Sequence, residues 1–501
     1  MARAFKKLLI ANRGEIARRV IRSARLLGLK TVAVFSEADR KSPHVMEADE
    51  ARLIGPPAPA ESYLNIDAIL QAATETGADA IHPGYGFLSE RPAFARAVER
   101  AGLIFVGPSA AAMEAIGDKV AARRLAAECQ VAVVPGIETG ESSSVRTFAK
   151  KVGYPILVKA AAGGGGRGMR VVDQADALEA ALESASREAQ AAFGDGRIFV
   201  EKYLARPRHI EVQVLGDSHG KLVALGEREC SIQRRHQKLI EESPSVAVDE
   251  KLRGRMCDAA IRLARGCAYQ NAGTVEFLLQ DDEFYLLEVN ARLQVEHPVT
   301  EIRFECDLVA EQLKIAMGER LGDFDAPRGA AIECRITAED AEHDFRPAVG
   351  LVSYLHLPNA PGVRVDTFLR EGIEIAAHYD SLLAKVICYG ASREEARRRT
   401  LLALDEVVIA GIHHTAAFLR DVIASEQFRR GELSTHFVDD HFKKWHYSAS
   451  NENAALIAAA LIASRALGNN EVTTAGTNGK VDRREDSPWT SLGGFELWQR
   501  R

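Results

Sequence analysis

Short apolar runs alternate with amphipathic stretches over the first 110 residues. KKLLIAN and KTVAVFS read as strands. Between them, GEIARRVIRSARLLG repeats its apolar residues at helical spacing and stops at a glycine. ADAIHPG and GLIFVGP are two further strands, each closed by Gly or Pro. Such strand–helix–strand repetition predicts a parallel sheet covered by helices on both faces. Helical spacing then predicts one helix from Lys119 to Pro135. From RHIEVQVLGD to NARLQVEHP the chain is strand-rich and dense in charge. AAIECRIT, GLVSYLHLP, GVRVDTFL and LLAKVICYG predict more strands, and SREEARRRTLLALDEV a helix. Near the end, NENAALIAAALIASRALG has helical character, and the polar, turn-rich sequence after it predicts a loosely held tail.

Length and charge narrow the class. A chain of 501 residues exceeds what one core organises, so two to four domains are expected. Its 64 Lys and Arg against 70 Asp and Glu leave a net charge of −6, which argues against nucleic acid as a partner. The seven cysteines form no C-x-x-C pair, so no zinc ribbon or redox motif is signalled, and a reducing compartment is expected. No apolar run is long enough for a membrane span or a signal peptide, which makes a cytoplasmic protein the expectation.

The sequence KAAAGGGGRGMR (159–170) asks for an explanation, because consecutive glycines are entropically expensive to order. Gly163, Gly165 and Gly168 satisfy G-x-G-x-x-G, but a dinucleotide loop must run into a helix, and MRVVDQ reads as a strand. A Walker loop needs G-K-[ST] after its glycines, and none follows. A β-hairpin with ILVKA entering and GMRVVD leaving remains, either as a plain flexible turn or as a cradle of backbone N–H groups for phosphate, with Lys159 and Arg167 adding charge.

Downstream, GTVEFLLQDDEFYLLEVNARLQVEHPVTE places Glu288 and Asn290 two residues apart on one strand, hence on one face, with Glu276 on the strand before. Two carboxylates and an amide oxygen make a hard-oxygen set suited to Mg²⁺ on nucleotide phosphates. Surface carboxylates are common, but this strand is otherwise apolar, where an unpaired buried carboxylate is costly.

Taken together, these features resemble the ATP-grasp fold. GDK at 117–119, EKYL at 201–204 and RHIEVQV at 208–214 fit the same pattern. More narrowly, IANRGEIARR, HPGYGFLSE, ERECSIQRRHQKLIEESP, EVNARLQVEHPVTE, IECRITAED and YDSLLAKVI resemble, in order, the biotin carboxylase component of biotin-dependent carboxylases over residues 5 to 440. The resemblance implies an α/β (α+β) architecture. A parallel αβα domain would occupy 1–118. An ATP-grasp domain would occupy 119–325, with a mobile glycine-hairpin lid at 136–203. A β-rich C-terminal domain would occupy 326–447 and a polar tail 448–501.

It also implies roles. Lys119, Lys159, Gly164, Gly165 and Gly166 would hold ATP phosphates. Glu201, Lys202 and Leu204 would line the adenine pocket, and His209, Gln233 and His236 would reach ribose or phosphate. Glu276, Glu288 and Asn290 would bind Mg²⁺ or Mn²⁺. Lys238, Arg292, Gln294 and the Val295 backbone would take bicarbonate, with Glu296 between Arg292 and Lys238 as general base. Arg335 would stabilise the enolate-like form of biotin, though by itself an ion pair with Glu333 or Glu339 is as good a reading. Tyr85 and Asp380 would lie on the biotin side. The implied reaction converts bicarbonate to carboxyphosphate with ATP and then carboxylates biotin. The alternatives are an ATP-grasp carboxylate–amine ligase and a catalytically silent scaffold subunit. HPGYGFLSE and ECRITAED argue against the first, and the intact set of charged residues against the second.

No methionine here precedes a lysine, so the family's Met-Lys-Met biotin attachment sequence is missing. Biotin is therefore expected on a separate carrier protein, with a carboxyltransferase subunit choosing the acceptor, an acyl-CoA, pyruvate or another 2-oxo acid. A homodimer or larger complex is expected. Three departures stand out: Phe304–Glu305 where the family has Thr-Gly, GIHHTAAFL where it has Thr-Asn, and Ala291 in place of Pro or Thr.

Overall fold

The computed structural model describes residues 5–117, 119–138, 142–160, 170–193 and 196–447, together with Ala460. The predicted tail and its helix lie outside these residues. The first strands form a five-stranded parallel sheet in the order Glu50–Gly55, Lys30–Ser36, Lys7–Ile10, Ala80–His82, Ile104–Phe105. The order reverses beside the first strand, which opens a crevice at the strands' carboxyl ends, the usual ligand position in such sheets. Asn12 ties that crevice together by donating from its side chain to the carbonyls of Pro83 and Tyr85, both at 2.8 Å.

The rest of the body is built on one eight-stranded antiparallel sheet: Glu283–Asn290, Asn271–Gln280, Arg208–Gly216, Leu222–Arg234, Gln237–Ser243, Ala330–Thr337, Leu382–Gly390 and Val363–Thr367. The sheet runs unbroken across residue 326, because Gln237–Ser243 pairs with Ala330–Thr337. Helix Glu250–Gly266 buries Leu252, Met256, Ala259, Ala260 and Leu263 in the core it shares with Val212 and Val275.

A smaller four-stranded sheet orders Gly136–Glu138, Ile198–Lys202, Ile156–Ala160 and Arg170–Val172, with helices Ser142–Val152 and Leu178–Phe193 alongside. Ile156–Ala160 and Arg170–Val172 are antiparallel, with Ile156 opposite Val172. The glycine run thus joins two strands and not a strand to a helix; Gly164, Gly165 and Gly166 themselves lie outside the described residues. The helix beginning at Lys119 ends at Glu128, short of the predicted Pro135. β-branched Val131, Val133 and Val134 favour extended backbone, and Ala132 accepts from the N–H of Leu286 at 2.7 Å. Of Lys119 itself, the side chain lies outside what is described.

Candidate active site

The site is assembled on the edge of the large sheet. Glu276 faces Glu288 directly, and the register then slips so that Phe277 faces Leu286, leaving Leu287 as an extra residue. The resulting bulge bends the edge strand and re-aims its side chains. Glu276 is buried and fully engaged. His209 Nε2 lies at 2.7 Å, Lys238 Nζ at 2.8 Å, Asn290 Nδ2 at 2.8 Å and Gln294 Nε2 at 2.7 Å. Glu288, in contrast, is open to solvent and makes no hydrogen bond or ion pair among the described residues. The expectation that the apolar strand buries both carboxylates therefore fails for Glu288, because Glu283–Asn290 is a sheet edge. Partial loss of water and then the like charge of Glu276 hold the Glu288 carboxyl above its usual range. The two oxygens and the Asn290 amide fit a hard divalent cation, with Glu288 as the ligand still to be paired.

Next to this lies a buried charge cluster. Lys238 Nζ touches Glu211 at 2.6 Å, Glu276 at 2.8 Å and Glu296 at 2.7 Å. Burial opposes the ammonium charge, but the three carboxylates outweigh it and hold Lys238 well above the usual lysine range. Glu296, fully buried at the start of helix His297–Phe304, also meets Arg335 Nη2 at 2.8 Å. Burial would raise its pKa, yet Lys238, Arg335 and Arg228 hold it well below the usual carboxylate range. The cations at Glu296 are thus Lys238 and Arg335. Arg292, expected there, instead gives its Nε to Glu90 at 2.9 Å and its Nη atoms to Asn290 and Gln294, both at 3.1 Å. Arg335 meets Glu241 at 2.5 Å as well as Glu296, so its ion partners are not Glu333 or Glu339. The Val295 carbonyl accepts from Lys385 Nζ at 2.9 Å.

The remaining predicted residues surround this cluster. Lys159 pairs with Glu201, which also accepts from Arg123 at 2.8 Å. The Lys202 N–H is taken by the Pro135 carbonyl at 2.9 Å, and Leu204 is buried. Gln233 sits opposite Lys238 across the hairpin, whose turn carries the exposed His236 at φ 65°. The Tyr85 hydroxyl is bonded to Glu15, and Asp380 accepts from the Leu382 N–H at 2.8 Å. Sequence reading overlooked Glu211, Arg228, Glu241 and Glu90. Glu211 is two residues from His209 on one strand, so alternation alone placed it on the same face.

Residues 118–324 match the family model for the ATP-binding domain of the carbamoyl-phosphate synthase L chain. Residues 4–113 and 333–440 match those for the biotin carboxylase N-terminal and C-terminal domains. The chain belongs to the biotin carboxylase family. It is 49% identical over 443 residues to a pyruvate carboxylase subunit from Methanothermobacter thermautotrophicus, covering 87% of this chain and 90% of that protein. With the biotin carboxylase of Haemophilus influenzae it shares 48% identity over 444 residues, covering 87% and 98%. A solved relative is the biotin carboxylase domain dimer of Hydrogenobacter thermophilus 2-oxoglutarate carboxylase, in complex with MgADP, ADP and bicarbonate. It has a TM-score of 0.82 at 42% identity and covers 89% of this chain and 99% of that one. The activity of biotin carboxylases is the ATP-dependent carboxylation of biotin, the first half-reaction of biotin-dependent carboxylases. Among the described residues no helix is long and apolar enough to cross a membrane.

Proposed function

We propose that this chain carboxylates biotin presented on a carrier protein, using ATP and bicarbonate, with Glu296 as the general base. The observation that carries the reading is the fully buried, ionised Glu296 between Lys238 at 2.7 Å and Arg335 at 2.8 Å, next to the Glu276–Glu288 pair. Lys159 and Lys119, with the Gly164–Gly166 run, hold the ATP phosphates. Glu201, Lys202 and Leu204 hold adenine, and His209, Gln233 and His236 the ribose–phosphate side. A divalent ion such as Mg²⁺ or Mn²⁺ on Glu276, Glu288 and Asn290 would neutralise charge on the phosphates.

Bicarbonate enters between Lys238, Arg292, Gln294 and the Val295 backbone. Its oxygens compete for the donors now on Glu90 and Glu296. Taking them loosens the hold of Lys238 on Glu296 and raises the carboxylate's basicity at the moment it must accept the bicarbonate proton. Arg335, flanked by Tyr85 and Asp380, then faces the biotin ureido oxygen as charge develops there. The carboxylated carrier passes to a carboxyltransferase partner that selects an acyl-CoA, pyruvate or another 2-oxo acid. A homodimer is the assembly the Hydrogenobacter relative's dimer supports.

Replacing Glu296 with Gln keeps the shape and removes the base. The expected result is loss of at least nine-tenths of bicarbonate-dependent ATP cleavage, with ATP affinity nearly unchanged, the loss of a proton acceptor being worth roughly 10²-fold or more. Activity above a tenth of wild type, measured by ADP release, would reject Glu296 as the base.

A further inference from the structure

Glu241 and Glu333 stand directly opposite each other on the paired strands Gln237–Ser243 and Ala330–Thr337. Cross-strand partners of this kind bring their side chains to one face a few ångströms apart. Both are fully buried, because helix His297–Phe304 lies over that face and packs Val299 on Ala331 and Ile387. Two adjacent buried carboxylates need compensating charge, and the surroundings do not supply enough.

Arg335 comes from the same strand as Glu333 and is already shared between Glu241 and Glu296. Lys385, opposite Arg335 on the next strand, is held by Glu15 at 3.1 Å, by the Val295 carbonyl at 2.9 Å and, at longer range, by Asp366. Lys238 serves Glu211, Glu276 and Glu296. From the helix, Arg303 is taken by Ser243 Oγ at 2.9 Å and the Gly329 carbonyl at 3.1 Å, and burial holds His297 far down its range and neutral. Glu296 thus has Lys238 and Arg228 besides Arg335, whereas Glu241 and Glu333 rely on Arg335 and on the already engaged Lys238 and Lys385. Both oxygens of Glu333, both oxygens of Glu241 and the Nε of Arg335 have no hydrogen-bond partner among the described residues, so Arg335 meets Glu241 as an ion pair and hydrogen-bonds Glu296.

We propose that Glu241 and Glu333 share a single proton, carried mainly by Glu333, and that this pair is a positioning device that keeps Arg335 directed at Glu296 and the biotin side of the site. Burial raises the Glu241 carboxyl to about 7 against the opposing charge of Arg335, and burial holds Glu333 well above its usual range against the opposing charge of Lys385. While the proton stays, the pair carries one negative charge and Arg335 divides itself between Glu241 and Glu296. Once it leaves, two negative charges lie on one side of Arg335 and draw the guanidinium away from the reacting end. The sign is a loss of biotin turnover as pH rises above neutral. Glu241 and Glu333 touch neither biotin nor bicarbonate in this account. Their effect runs through Arg335, so the proposal rests on the reading that Arg335 acts on biotin.

An infrared pH titration of the whole chain, with labelled glutamate, reads the proton directly. A buried protonated-carboxyl band is expected at neutral pH, lost on raising the pH and missing in Glu333→Gln. Absence of that band in wild type, or its persistence unchanged in Glu333→Gln, would overturn the shared proton. In parallel, kcat/KM for biotin in wild type should fall tenfold per pH unit on the alkaline side, as loss of one proton requires. In Glu333→Gln that fall should move upward by at least one pH unit, whereas a purely structural role would lower activity equally at every pH. An unmoved alkaline fall would overturn the positioning role. Should Glu333→Gln fail to fold, Glu241→Gln breaks the same pair and takes its place in the kinetic test, with the same two outcomes. If the infrared band behaves as stated but Arg335→Met leaves biotin kcat/KM intact, the shared proton stands and the assignment of Arg335 to biotin falls.

Discussion

Lys238 touches three carboxylates within 2.8 Å, and Glu276 accepts from four donors within the same distance. Each of these buried charges is satisfied before any ligand arrives, which limits the cost of keeping them out of water. Glu288 is the exception, a carboxylate without a partner among the described residues, directly opposite saturated Glu276. In the proposed metal site that contrast gives the two carboxylates different work. Glu276 is fixed by its neighbours, and Glu288 gains most from a cation. Glu288→Gln should therefore raise the Mg²⁺ concentration giving half-maximal turnover by roughly tenfold or more, since even residues behind the ligands commonly cost that much. Titrating Mg²⁺ at saturating ATP checks this, and an unchanged midpoint would remove Glu288 from the metal site.

Helix His297–Phe304 carries Glu296 at its start and closes over the Glu241–Glu333 face, so its far end matters to both. That end is the departure noted in the sequence. Glu305 caps the helix at φ 49°, in the left-handed region that favours glycine, and Phe304 packs 3.5 Å from where a side chain on Gly226 would begin. Glu305→Gly should stabilise the protein by about 1 kcal/mol, the usual cost of left-handed backbone for a residue with a Cβ. Urea unfolding midpoints of the two proteins test it, and a destabilised variant would show that Glu305 has contacts worth more than its strain. Elements were legible in the sequence where a single periodicity ruled them, as in KTVAVFS, LLAKVICYG and SREEARRRTLLALDEV. The antiparallel strands around the glycine run were legible because MRVVDQ could not continue as a helix. Legibility failed where tertiary pairing overrode local pattern. The helix from Lys119 stops at Glu128 because the valines after it run extended beside Leu286. It failed again at IECRITAED and HQKLIEESP. Alternating charge there reads as a wet face, and nothing local shows that another helix covers it. The Leu287 bulge likewise leaves no mark in EFYLLEVN, yet it turns Glu288 toward solvent.

Across the whole molecule the parallel sheet and the large antiparallel sheet are joined by buried polar contacts. His82, at the end of its strand, accepts from the Gly84 N–H at 2.9 Å and meets Gln312 at 3.2 Å, on helix Leu308–Ala316. Burial pushes His82, and likewise His44, down to about 4. An unfolded histidine titrates near 6.5, so between about 6.5 and 4 the unfolded chain takes protons that the folded one refuses. Stability from this source is complete above about 6.5 and falls with pH by roughly 1.4 kcal/mol per unit for each histidine. Glu241, raised to about 7, works in the opposite direction over part of the same range, so the informative quantity is a difference. His82→Asn keeps an acceptor and removes the titration. Its unfolding free energy should lose about 1 kcal/mol less than wild type between pH 6.5 and 5.5, and equal slopes would show that His82 is not the group resisting protons. In the proposed reaction one fold brings nucleotide, bicarbonate and biotin chemistry to a single cluster around Glu296. The most direct test is ADP release by the purified chain with Mg²⁺ and ATP, omitting bicarbonate or biotin in turn. Full turnover should need both, and carboxylated biotin should form in step with ADP. ADP release that ignores biotin, or that depends on an amine instead, would contradict it.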